Sequence, residues 1–156
     1  ALRVYTSGGD TWELGEGDII LTPTGVPVGM DTQAGCVYTE IEVRKDSTMN
    51  EVLKDGEVFK LAELLPIQEG KVINMDLAHN DKMKFVLMSF DAGTGLSEHS
   101  APGEAIIFCL EGEGIIGYEG TPHTIHAGEN FKFAKNGKHY VKAEKPFKMA
   151  LLMTLE

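Results

Sequence analysis

The 156 residues include 24 acids against 14 bases, a formal charge of −10, and 42% are apolar. A chain of this size forms one ordinary domain with a real core. Its charge repels phosphate backbones and anionic lipid surfaces, which excludes nucleic acid and membrane surfaces as partners, and no apolar stretch approaches the ~20 residues that span a bilayer.

Residues 1–46 alternate apolar and polar side chains between short turns, the pattern of half-buried strands. Cys36, at the end of this segment, and Cys109 are too few for a disulfide framework and point to a reducing, cytoplasmic compartment. The sequence opens at Ala1 and not at a methionine, so an upstream segment is left open. Residues 47–56, "STMNEVLKDG", carry a helix signature: Ser47 or Thr48 as cap, Glu51 as its box partner and Gly56 as the stop. They predict a helical linker. "LAELLP" predicts one further short turn, stopped at Pro66.

From residue 57 onward strands dominate. "KMKFVLMSF" sets Met83, Phe85 and Leu87 against Lys84, Val86 and Met88, and "FKMALLMTL" puts Phe147, Met149, Leu151 and Met153 on one face. Turn signals such as "DAGTG", "APGE", "EGEG", "HAGEN" and "KNGK" recur roughly every 8–12 residues, the spacing of a sandwich or barrel. "GEGIIG" (residues 112–117) matches a phosphate-loop pattern, yet turn and strand follow it instead of a helix, so it reads as a turn with small residues. In "HTIH", His123 and His126 stand three apart and face opposite ways on a strand, which makes them rim histidines. Cys109, among apolar neighbours without a local base, reads as a buried hydrophobe or a pocket-lining thiol, not a nucleophile.

A weak internal repeat crosses these elements. Shifted by 111 residues, "GDIILTPTGVPVGM" falls on "GENFKFAKNGKHYV", with Gly17 on Gly128 and Val28 on His139. Residues 1–46 thus correspond to only the second half of the unit at 57–156. Bare strand edges are unfavourable, so the expectation is either a truncated form of a chain that carried a whole first barrel or completion by strands from elsewhere, such as a partner chain in a homodimer.

"HSAPGEAIIFCLEG" (99–112) and "GENFKFAKNGKHYV" (128–141) resemble the two motifs of the cupin superfamily. The resemblance implies an all-β double-stranded β-helix, a jelly-roll barrel complete over 57–156, with a partial cupin at 1–46 in the manner of a bicupin. It is nearest to small conserved cupins with an "LSEH-[ST]-APG-[DE]-A" segment. Such barrels hold Fe, Mn, Ni or Zn with three histidines and a carboxylate. Here His99 and His139 occupy the first and last histidine positions, Ala101 and Ala105 replace the second histidine and the glutamate, and Glu104 lies one residue early. In the second motif Ala134 replaces the proline and Asn136 the glycine.

The metal expectation is a divalent ion on His99, His139 and Glu104, with Glu98 as another candidate ligand. Strand facing from His99 predicts a mostly apolar pocket lined by Ala101, Ala105, Ile107, Cys109, His139, Val141 and Phe85, with Met88 and Phe90 as the alternative to Phe85. The functional expectation is a small-molecule-binding barrel. Its rivals are a metal-dependent oxygenase or isomerase and an assembly barrel without chemistry.

Overall fold

A computed structural model describes residues 1–155, and almost all of its regular structure is strand. The N-terminal unit contains β1 (Leu2–Thr6), β2 (Thr11–Leu14), β3 (Asp18–Ile20) and β4 (Val28–Asp31). The linking region follows with β5 (Thr48–Met49), β6 (Val58–Lys60) and a single 3-10 turn at Leu61–Glu63. The rest comprises β7 (Val72–His79), β8 (Met83–Phe90), β9 (Gly95–Ser100), β10 (Ala105–Tyr118), β11 (Thr121–His126), β12 (Asn130–Phe133), β13 (Lys138–Lys142) and β14 (Phe147–Thr154). Among the described residues no helix is long and apolar enough to cross a membrane.

The barrel is a jelly roll of two antiparallel layers that share β10. Its first half joins the layer β5-β7-β8-β14-β10, with β12 on its other side, and its second half lies between β11 and β13, with β9 beyond β13. The change of layer falls at a register irregularity between Cys109 and Glu111, and Gly112 follows at φ +77°. A Cβ on Gly112 would stand 2.4 Å from the Pro146 carbonyl oxygen, and one on Gly114 would stand 2.6 Å from the Phe147 ring. The small residues of "GEGIIG" therefore bend a strand around a packed phenylalanine and do not form a phosphate loop.

Side chains of both layers meet in one core that includes Phe90, Ile107, Cys109, Ile116, Phe133, Phe147 and Met149. Phe90 and Phe147 are cross-strand partners, stacked at 4.6 Å between centroids. On the outer face of β8 and β14, Leu87 and Ala150 pack with Leu61 and Leu65 from the 3-10 turn region. Phe85 packs in this second cluster. The expectation that it lines the pocket is therefore corrected: Val86, Met88 and Phe90 take the inward parity of β8, and the pleat sends Phe85 and Leu87 outward.

The helix expected over 47–56 is absent. Thr48 and Met49 instead pair with His79 and Ala78 at the edge of β7. Asn50 then closes a turn, its Oδ1 accepting the Val52 N–H at 3.0 Å while its Nδ2 donates to the Asp76 carbonyl at 2.9 Å. A free sheet edge and an Asn that satisfies its own turn outcompete a helix of about ten residues, which is marginal alone.

The N-terminal unit is a small sheet, β2-β1-β4, joined to the linking region through β3 pairing with β6 and through the Trp12 indole N–H donating to the Gly56 carbonyl at 2.8 Å. Its order is that of β11-β10-β13, with Val4 of β1 and Ile116 of β10 each fully buried at the centre.

Truncating Phe147 to Ala removes the ring that Gly114 and Phe90 accommodate. Urea unfolding of F147A is expected to show a loss of about 3–5 kcal/mol, and a loss below about 1 kcal/mol would contradict this account of the core.

Candidate functional site: a histidine pair at a narrow apolar slot

Two irregular backbone stretches place the histidines. Along β9 and β13 the register slips by one residue, so Ser97 and Glu98 together stand opposite Tyr140, while Leu96 faces Val141 and His99 faces His139. Without that bulge Leu96 and His99, three residues apart, would point to opposite faces; with it both line the interior. The second stretch is the turn before β13. Asn136 takes φ +62°, the left-handed conformation that a glycine would otherwise fill and that Asn tolerates. Its N–H donates to the Ala101 carbonyl at 2.9 Å, and Gly137 N–H closes the turn on Ala134 O at 3.0 Å. The two turns that carry the histidines are thus tied together.

Each imidazole is then oriented by the carbonyl two residues before it. His99 Nδ1 lies 2.7 Å from Ser97 O and His139 Nδ1 lies 2.9 Å from Gly137 O. A carbonyl oxygen can only accept, so both Nδ1 atoms carry the hydrogen and, in the neutral rings, both Nε2 atoms present lone pairs. The rings meet edge to face with centroids 4.3 Å apart, and His139 also stacks on Phe133 at 4.1 Å. His99 is exposed at the mouth and His139 is buried behind it. Burial holds the His139 imidazole below the usual 6.5; the hydrogen bond to Gly137 opposes this shift and the neighbouring His99 adds to it. His139 is thereby kept neutral at neutral pH.

Behind the pair runs an apolar slot of about 30 Å³, walled by Met88, Leu96, Ile107, Phe133, Met149 and Leu151 together with Val141 and the two rings. That is room for one or two water-sized occupants, far short of the ~300 Å³ of an ordinary organic-ligand pocket. Of the expected lining residues, His99, Ile107, His139 and Val141 surround the slot. Ala101, Ala105 and Cys109 are buried beside it without reaching it. Met88, the alternative to Phe85, also walls the slot, and so do Met149 and Phe133, which the sequence reading did not place there. The period-two faces of "KMKFVLMSF" and "FKMALLMTL" carried the signal for the two methionines.

Glu104 is not brought to the histidines. It has the parity of Ile106 and Phe108, opposite to Ala105 and Ile107, and its carboxylate pairs with Lys132 Nζ at 3.1 Å on the exposed surface. Glu98 is exposed within the β9 bulge. Among the described residues, no three His, Cys, Asp or Glu side chains gather into a cluster able to hold a metal ion. The donors present therefore do not fit a divalent ion held by three histidines and a carboxylate, since such ions take three or four protein ligands. Cys109 is held as a thiol, its pKa pushed up to about 11 by burial. His123 packs on Phe131 at 4.9 Å, while His126 lies between Glu113 and Glu129 at the surface, so the two do not share a ligand.

Residues 86–155 match the Cupin domain family. This part of the chain is a cupin domain. The same fold recurs in a Cupin 2 conserved barrel domain protein from Leptotrichia buccalis, 24% identical, with 98% of this chain and 68% of that one covered at a TM-score of 0.76. A cupin superfamily protein from Desulfitobacterium hafniense is 24% identical over 67% of this chain and 95% of its own, at a TM-score of 0.64. A conserved protein of unknown function from Streptococcus pyogenes is 19% identical over 70% and 96%, at a TM-score of 0.66. No curated protein matches the chain by sequence. The cupin frame is kept here, and Ala101 and Ala105 are buried within it.

The depressed affinity of His139 for protons sets a pH dependence. The unfolded chain takes up this proton at the ordinary histidine value and the folded chain only at lower pH, so the stability is complete above about 6.5 and falls as pH drops below it. Urea unfolding at about pH 7.5 and about pH 5.5 should show a smaller acid loss in His139→Gln than in the parent protein. An equal loss in both would contradict the assignment.

Proposed function

We propose that the chain is a binding cupin: His99 and His139 present paired Nε2 lone pairs to one small occupant at the mouth of the apolar slot. The observation that carries this reading is the matched locking of both rings through Nδ1 to carbonyls two residues upstream. Such outer hydrogen bonds fix the orientation and tautomer of imidazoles that serve as ligands. A histidine kept only for packing needs no such common direction. The slot around them is apolar, so an occupant is held at the polar rim and shielded behind. The runner-up, a metal-dependent oxygenase or isomerase, needs a third protein ligand and an acid or base near the substrate. The free thiols Cys36 and Cys109 suit the cytoplasmic setting of this reading.

Protein purified without chelator tests it. The expectation is crystallographic density for one occupant touching both Nε2 atoms, absent in His99→Ala and His139→Ala, with far less than one equivalent of Fe, Mn, Ni or Zn. Stoichiometric amounts of one of those metals, lost in both variants, would replace this reading with the enzyme.

One observation favours an additional assembly role. Shifted by 111 residues, β2, β3 and β4 fall within or at the edges of β11, β12 and β13, and Cys36–Val43 falls on β14, Phe147–Thr154. In the barrel β14 lies between β8 and β10, whereas Cys36–Val43 pairs with no strand among the described residues and leaves Val37 fully exposed. The alternating "CVYTEIEV" is proposed as the strand through which two copies pair. Light scattering should give a dimer that Ile41→Lys converts to monomer; a monomer at micromolar concentration in the parent protein would contradict this.

A further inference from the structure

The slot is framed by two cross-strand pairs, one from each layer. His99 and His139 are direct partners on β9 and β13, and Met88 and Met149 are direct partners on β8 and β14. Partners of this kind share a face with Cβ atoms about 4.5–5.5 Å apart. All four side chains line the same small space, both methionines are buried, and the space has room for little more than one ion. We infer that the occupant is a soft monovalent metal ion, Cu(I), held between the imidazole Nε2 atoms of one layer and the thioether sulfurs of the other. This rests on the binding reading above and names its ligand.

Three properties of the donors select that ion. Thioethers are soft ligands that favour Cu(I) over Mn, Fe or Zn, and imidazole suits copper as well. All four donors are neutral, and no carboxylate lines the slot. Burying an ion without a balancing charge is far costlier for a divalent than for a monovalent cation, because the desolvation cost grows with the square of the charge. The rings are also already turned, each Nδ1 engaged and each Nε2 free to bind.

Two thiols could compete. Cys36 is exposed and lies outside the barrel core. Cys109 is the cross-strand neighbour of Met149 on its other side, but its sulfur is directed at the Gly112 carbonyl, 3.8 Å away, and does not line the slot. The test must separate these thiols from the methionines.

The experiment is an anaerobic Cu(I) titration of the Cys36→Ser protein against bicinchoninate, followed on the same sample by NMR of the methionine ε-methyl and histidine ring signals. One Cu(I) per chain is expected. Of the seven methionines, only Met88 and Met149 should shift, together with His99 and His139. Met88→Leu with Met149→Leu, a swap that conserves volume, should weaken binding at least about tenfold at unchanged circular dichroism, and Cys109→Ala should not. Binding that is lost with Cys109 while both methyls stay still would overturn the assignment. So would the absence of any Cu(I) binding. If crystals of protein purified without chelator then show another occupant on both Nε2 atoms, only the cuprous assignment falls. If they show none, the binding reading falls with it.

Discussion

The pleat of one long strand governs the rest of the molecule. β10 serves both layers of the barrel, and it can do so only because its ladder breaks between Cys109 and Glu111 and the chain then turns through Gly112. Before the break its odd positions, Ala105, Ile107 and Cys109, face the core; after it Ile116 and Tyr118 take over the same interior from the other layer. An apolar interior closed on two sides follows, and with it the narrowness of the slot. Filling that interior with Phe90, Phe133, Phe147 and Met149 leaves the small slot behind the histidine pair. The dimensions of the site are thus set by packing.

Within that frame the chemistry depends on backbone carbonyls. The β9 bulge does two jobs at once: it returns His99 to the inner face beside Leu96, and it leaves the Ser97 carbonyl where His99 Nδ1 can donate to it. The Asn136 turn does the same for His139 through Gly137, and it is tied across to Ala101. Neither ring depends on a carboxylate for its orientation. Phe133, stacked against His139, fixes the plane of the inner ring.

Much of the fold was legible because strand periodicity and turn residues are local signals. The inward face of β14, the buried run of β10 and the turn at "KNGK" all follow from alternation and from Gly, Asn and Pro placement. His99 and His139 were legible as a pair through the resemblance to the two cupin motifs. The choice of face along β8 was not, since "KMKFVLMSF" is apolar on both parities and both prove to be packed, Phe85 on the outer cluster and Met88 on the inner one. Nor was the fate of 47–56, where a helix signature is overridden by the exposed edge of β7 and by the Asn50 side chain. The bulge in β9 leaves no mark in composition, so Leu96 entered the slot unannounced. Phe133 escaped notice because a ring stacked on a histidine looks, in sequence, like any core aromatic.

The central claim is that two neutral imidazoles are locked with hydrogen on Nδ1 and lone pairs on Nε2. Long-range proton–nitrogen correlation NMR of the nitrogen-15-labelled histidines at about pH 7.5 reads this directly. The account predicts the Nδ1–H pattern for both His99 and His139, with His139 keeping it to lower pH than a free histidine. A hydrogen on Nε2 of either ring would contradict it.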